Sequence, residues 1–156
     1  MDTQQKHDAS QLASDVMTAH PTCCTPDTPL DRVAQLMVLQ DCGEIPIVAD
    51  EENRFPIAVV TDRDIVCRVV AKSKNPLEYT AEFCMSQPVV TVPEEMAIDE
   101  VLATMEKHQI RRVPVVNARG QCVGMISQAD MAWRRSKKEV AELVREVSRE
   151  TSEPSR

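Results

Sequence analysis

Two short segments place a hydroxyl and a carboxylate three residues apart, Thr61-Asp62-Arg63-Asp64 and Ser127-Gln128-Ala129-Asp130. Each sits between an apolar run that reads as a strand and one that reads as a helix, so both side chains fall on the same side of the first helical turn. A carboxylate placed there accepts both hydroxyls of a ribose, while the hydroxyl side chain and the free N–H groups of the helix N-terminus meet a phosphate. The same spacing is also that of an N-capping box, in which the two side chains satisfy backbone N–H groups. Taken alone, the spacing reads first as a capping box, and the two roles are compatible. A phosphate also calls for cations. Arg111 and Arg112 precede Val113-Pro114, and Arg63 lies inside the first motif, but Gly43 and Glu44 stand where the first half would repeat the arginine pair. The plainer reading of the arginines is a solvated strand edge.

Other chemistry finds little material. With only Gly43, Gly120 and Gly124, neither a P-loop nor a dinucleotide fingerprint can be built. His7, His20 and His108 lack paired ligand spacing and no Cys-x-x-Cys occurs, so no metal site is expected. His108 is read as suiting a helix C-terminus. Adjacent Cys23 and Cys24 bridge only with strain, which makes buried packing the better reading than a thiol sensor. No nucleophile–base pair is visible, and the chain is read as a binding protein, not an enzyme.

The bulk numbers agree. A chain of 156 residues with 42% hydrophobic and 28% charged residues suits one soluble core, or two half-sized units sharing one. A formal charge of −7 and four aromatic residues argue against nucleic acid as a partner. Trp133-Arg134-Arg135-Ser136-Lys137-Lys138 is then a solvated helix end or a docking surface for an acidic partner. No apolar run spans a bilayer and Met1–Ser10 is unlike a signal peptide, so a cytoplasmic location with six reduced cysteines is expected.

The elements that must hold the motifs come in duplicate. Met17-Thr18 and Met85-Ser86 lie 68 residues apart, and the same offset pairs Leu30 with Ile98, Val33 with Val101, Met37 with Met105 and Pro46 with Pro114. Beyond a loop two residues longer in the first copy the offset is 66, pairing Thr61 with Ser127 and Asp64 with Asp130. Such matched order and spacing indicates internal duplication.

Each copy reads as strand, helix, strand, strand, helix. A helix is expected from about Pro29 to Gln40, with Leu30, Val33, Ala34, Met37 and Val38 on one face, Thr28 as N-cap and Pro29 first inside. Ile45–Val48 with Ile57–Thr61, and Val113–Val116 with Cys122–Ser127, read as hairpins covered on both faces. Val140, Leu143, Val144 and Val147 mark a further helix from about Lys137 to Ser148, packed on the rest or on a second copy. The expected divisions are a flexible stretch 1–10, repeats 11–74 and 75–135, the helix 136–150 and a frayed tail 151–156.

Each half resembles a cystathionine β-synthase (CBS) domain. The first supplies Met17-Thr18, Ile45-Pro46-Ile47 and Ala58-Val59-Val60-Thr61-Asp62-Arg63-Asp64, and the second Met85-Ser86, Val113-Pro114-Val115 and Gly124-Met125-Ile126-Ser127-Gln128-Ala129-Asp130. The resemblance implies an α/β (α+β) fold of two β-α-β-β-α repeats packed sheet to sheet about a pseudo-twofold axis, a Bateman module with two clefts. It implies that Asp64 and Asp130 hold ribose, Thr61 and Ser127 contact phosphate, and Arg111, Arg112 and Arg63 supply charge. Adenine would lie among Val16, Met17, Ile45, Pro46, Cys84, Met85, Val113 and Pro114, all otherwise plain core. The implied ligand is an adenine nucleotide, AMP or ATP before others, bound as a regulator and not as a required cofactor. A homodimer and an unidentified protein partner in trans are the implied assemblies. Ala58, where the pattern has glycine, is expected to crowd its cleft, so that one good site is expected before two. The competing reading is a structural or interaction subunit whose clefts bind no nucleotide.

Overall fold

The computed structural model describes residues 11–132 and 143–148. The expected flexible start, the tail, Val140 and the basic stretch 133–138 lie outside the described residues. In chain order the elements are α1 (Ala13–Val16), β1 (Thr18–Ala19), α2 (Leu30–Leu39), β2 (Glu44–Val48), β3 (Pro56–Thr61) and α3 (Asp62–Arg68). These are followed by α4 (Ala81–Cys84), β4 (Val92–Pro93), α5 (Ile98–His108), β5 (Arg112–Val116), β6 (Cys122–Ser127) and α6 (Gln128–Ala132). Residues 143–148 are helical.

The apolar stripes place α2 and α5 as expected. Leu30, Val33 and Met37 of α2, and Ile98, Val101, Leu102 and Met105 of α5, are buried. The start of α2 corrects the sequence reading. Pro29 is the N-cap, without a side-chain bond, and the Thr28 hydroxyl instead accepts from the Thr25 N–H at 3.0 Å. The first N–H of α2, on Leu30, donates to the Tyr79 carbonyl at 3.0 Å, and its counterpart on Ile98 donates to Gln11 at 2.9 Å. Each long helix is thus closed at its N-terminus by backbone from the segment that opens the other repeat, which removes the need for a side-chain cap.

That exchange runs through the fold. Hairpins β2–β3 and β5–β6 are antiparallel. β1 of the first repeat pairs with β6 of the second, Thr18 opposite Met125, and the equivalent contact in the other direction is the bridge of Ser86 to Val59. Likewise the parallel pair Val92 with Val115 is matched by Cys24 with Ile47. One four-stranded sheet, in the order β1-β6-β5-β4, and one two-stranded sheet, β2-β3, result.

The cores follow the exchange. Ala13 and Val16 are buried with Val92, Val101, Met105, Val113 and Ile126, whereas Ala81 and Cys84 are buried with Leu30, Val33, Ile45, Ile47 and Val60. Leu143 and Val147 close the first of these clusters, so this part of the C-terminal helix packs on the molecule itself. Val144 is largely exposed. β2 is buried over most of its length, as a strand covered on both faces must be, while β3 and β6 alternate.

Candidate functional site

Both Ser/Thr-x-x-Asp motifs sit where a strand runs into a helix, β3 into α3 and β6 into α6. Both are capping boxes. The Thr61 N–H donates to Asp64 Oδ2 and the Asp64 N–H to Thr61 Oγ1, each at 3.0 Å. The Ser127 N–H donates to Asp130 Oδ2 at 2.7 Å, and the Asp130 N–H to Ser127 Oγ at 3.3 Å. The same box leaves one carboxylate oxygen, Oδ1, available for other partners in each motif.

The motifs differ in what that oxygen meets. Ser86 Oγ donates to both Asp64 oxygens at 3.2 Å, and Arg68 Nε stands 3.8 Å from Oδ1. Asp64 is buried and its acceptor capacity is spent inside the protein. Thr18, the counterpart of Ser86, makes no such bond. Among the described residues Asp130 Oδ1 accepts no hydrogen bond, and Asp130 opens instead on a cavity of about 210 Å³.

This cavity draws on both repeats. Ser127, Asp130, Met125 and Arg112 come from the second, and Thr18, Glu44, Ile45 and Pro46 from the first. The exchange makes this possible, since pairing of β1 with β6 carries residues 18–22 across to the second motif. The volume is below the roughly 300–1,000 Å³ of a typical ligand cleft, but the cavity is open on one side.

Sequence reasoning passed over one wall residue, Glu44, except as a departure from the arginine pair. One of its carboxylate oxygens, Oε2, is buried and lacks a hydrogen-bond partner. Burial pushes the Glu44 carboxyl up to about 7, against the pull of the nearby Arg112 guanidinium and with help from Asp64 and Asp62. A carboxyl titrating there switches between a donor and an anion near neutral pH. No local sequence signal marks it, because the shift comes from packing.

The remaining expected site residues divide plainly. Ile45, Pro46, Arg112, Ser127 and Asp130 share the cavity wall. Arg111 and Arg63 are exposed and do not line it, so of the arginine pair only Arg112 is brought to the cavity. Thr61 and Asp64 belong to the closed motif. Val16 and Val113 are core residues, as is Cys84, and Pro114 is also buried. Met17 and Met85 are partly buried against the two cores.

Ala58 and Gly124 are set by packing. A Cβ on Gly124 would collide with Met17 Sδ and lie 2.8 Å from its Cγ. Ala58 is wholly buried, so its methyl fills core and does not crowd a cleft.

Comparison with known proteins gives a consistent picture. The CBS domain family pattern matches residues 13–71 and 81–136. Hypoxic response protein 1 of Mycobacterium tuberculosis is 33% identical over 135 residues, 86% of this chain and 92% of that protein. An uncharacterized protein of Methanopyrus kandleri, MK0525, is 37% identical over 117 residues, 75% of this chain, which spans just over half (56%) of that protein. The crystal structure of hypoxic response protein 1, with two coordinated zinc ions, superposes with a TM-score of 0.72 at 34% identity, covering 81% of this chain and all of that one. The CBS domain pair of MJ0100, solved with 5′-methylthioadenosine and S-adenosyl-L-methionine, gives a TM-score of 0.70 at 26% identity over 79% of this chain and 94% of that one.

Proposed function

Because the chain belongs to the CBS domain family, as a tandem pair of such domains, we propose that it is a regulatory module binding an adenosine-containing ligand in the cavity beside Ser127 and Asp130. The observation that carries this reading is Asp130, whose unengaged oxygen opens on a cavity with apolar walls from Ile45 and Pro46 of the other repeat. Ribose hydroxyls would donate to Asp130, the adenine would lie against Ile45 and Pro46, and Arg112 would meet a phosphate at the mouth. The adenosyl ligands of the MJ0100 pair support the ligand class. Binding couples the two repeats because one ligand touches both, and the output can be no larger than the difference in affinity between their arrangements.

The charge of the wall refines the ligand. One guanidinium faces the carboxyls of Glu44, Asp41 and Asp130, a balance that suits a nucleoside monophosphate or a neutral or cationic adenosyl compound and disfavours a triphosphate. AMP therefore ranks above ATP. A second copy of the chain is the proposed partner for the outer face of α2 and α3, where Val38 is 83%, Leu39 73% and Val66 56% exposed. A further protein partner would receive the signal, and a cytoplasmic location remains part of the proposal. Among the described residues no helix is long and apolar enough to cross a membrane.

The competing reading, a structural subunit that binds no nucleotide, is favoured by one observation, the occupation of Asp64 by Ser86 and Arg68. A thermal-shift panel of AMP, ADP, ATP, S-adenosylmethionine, NAD and cyclic dinucleotides separates the two. A ligand at about 100 times Kd adds about 2.7 kcal/mol and raises Tm by several degrees. Absence of a shift with every compound would leave the structural reading.

A further inference from the structure

Three residues break the internal symmetry together around Cys122, at the end of β6 opposite Ser127. Cys23, Arg54 and Cys122 correspond by the repeat offsets to Thr91, Gly120 and Pro56. Gly120 has a left-handed backbone, φ +80, and Arg54 holds the same conformation, φ +57, although it carries a side chain. A left-handed arginine where the sister repeat uses glycine is a backbone outlier that points to a local role. Its guanidinium Nη2 donates to Cys23 Sγ at 3.3 Å and to the Pro21 carbonyl at 2.8 Å. Its own carbonyl accepts the Cys122 N–H at 2.8 Å, a bond the sister repeat cannot make because Pro56 has no N–H. Arg54 thus contacts a cysteine from each repeat, and the His20 N–H, donating to the Val123 carbonyl at 3.1 Å, holds the two cysteine-bearing segments side by side.

We propose that Cys23 is a hydroperoxide-reactive thiol and that Cys122 resolves it, forming a disulfide between the two repeats. The geometry divides the roles. Cys23 is partly exposed, whereas Cys122 is buried, so peroxide reaches Cys23 first. The neighbouring Cys122 thiol, and then the Arg54 charge, hold the Cys23 thiol below its ordinary value against the effect of burial. The nearby Cys23 sulfur, with burial, pushes Cys122 up. Cys23 is the better thiolate and therefore the nucleophile.

The steps balance. The Cys23 sulfur attacks one peroxide oxygen, the O–O bond breaks, and the departing oxygen leaves as water once protonated. Cys23 is then a sulfenic acid. The Cys122 sulfur displaces its hydroxyl as a second water, the S–O bond breaks and the S–S bond forms. Two electrons from the two thiols reduce one peroxide. Pro21 and Thr22, just before Cys23, and Met125 and Ser127, on the strand that Cys122 begins, line the cavity, so the bond ties two of its walls together.

The test treats the full chain with hydrogen peroxide and maps its cysteines by mass spectrometry without reduction. A Cys23–Cys122 linked peptide should form before any other oxidised product. Cys122→Ser should stop at a Cys23 sulfenic acid that a dimedone probe traps. Arg54→Gly, which suits the left-handed backbone, should slow the reaction at neutral pH several-fold, because the positive charge that favours the Cys23 thiolate is removed. Oxidation of the exposed Cys67 ahead of Cys23, or an Arg54→Gly chain that reacts at the wild-type rate, would overturn the assignment.

Discussion

Glu44 and Arg112 stand at equivalent positions of the two repeats, 68 residues apart, yet their side chains line one and the same cavity. The duplicated position has become a half-buried acid in one copy and its neighbouring base in the other. Burial raises the Glu44 carboxyl to about 7 even with Arg112 acting against the rise, so the charge of the cavity wall is expected to change near neutral pH.

Stability should carry that signature. The folded-state value lies above the ordinary 4.5, so the native state holds the proton more tightly than the unfolded chain. The contribution is fully present below about pH 4.5 and is lost as pH rises to about 7, beyond which the partly desolvated charge is a constant cost on the order of 3 kcal/mol. In thermal melts Glu44→Gln should raise Tm at pH 8 by several degrees and leave it nearly unchanged at pH 5. An equal gain at both values would show that charge is not the cause.

Ligand affinity should follow the same proton. A monophosphate bound beside Glu44 meets a neutral carboxyl below about pH 7 and an anion above it. The Kd for AMP should therefore rise by up to about tenfold per pH unit above that point, and Glu44→Gln should flatten the profile. Calorimetric titration between pH 6 and 8.5 measures both curves.

Gly124 is held small by its neighbour. Gly124→Ala sets a methyl against the Met17 side chain and should cost about 1–3 kcal/mol, read as a drop in the denaturant midpoint. Adding Met17→Ala should make the Gly124 substitution nearly free, since the clash is then gone. A double mutant that loses the sum of both single effects would mean the two sites do not interact.

The two motif aspartates should separate stability from binding. Asp64→Ala removes a helix cap and leaves the Ser86 hydroxyl without its acceptor, while Arg68 keeps the Cys84 and Met85 carbonyls, an expected loss of about 2–4 kcal/mol. Asp130→Ala removes a cap only, an expected loss of about 1 kcal/mol. Urea melts of the two variants give the comparison.

The repeat offsets, the helical stripes and the apolar runs made much of this legible in the sequence, β6 over the expected Cys122–Ser127 and α2 within a residue at either end. The exchange of the opening segments was not. α1 and α4 are four residues long, too short to show a period, and they are held by carbonyls of the other repeat. Thr28 looked like a cap because the pattern before Pro29 fits one, but Tyr79 had taken the position. Unequal clefts were expected from Glu44 and Ala58. Ala58 is core, and the first motif is closed by Ser86, whose hydroxyl differs from that of Thr18 in position and hardly in chemistry.

The central claim is one adenosyl site, at Asp130. Isothermal titration of the wild-type chain, Asp64→Ala and Asp130→Ala with the panel compound giving the largest thermal shift tests it most directly. One equivalent should bind per chain, retained in Asp64→Ala and lost in Asp130→Ala. Two equivalents, or binding that survives Asp130→Ala and fails in Asp64→Ala, would contradict it.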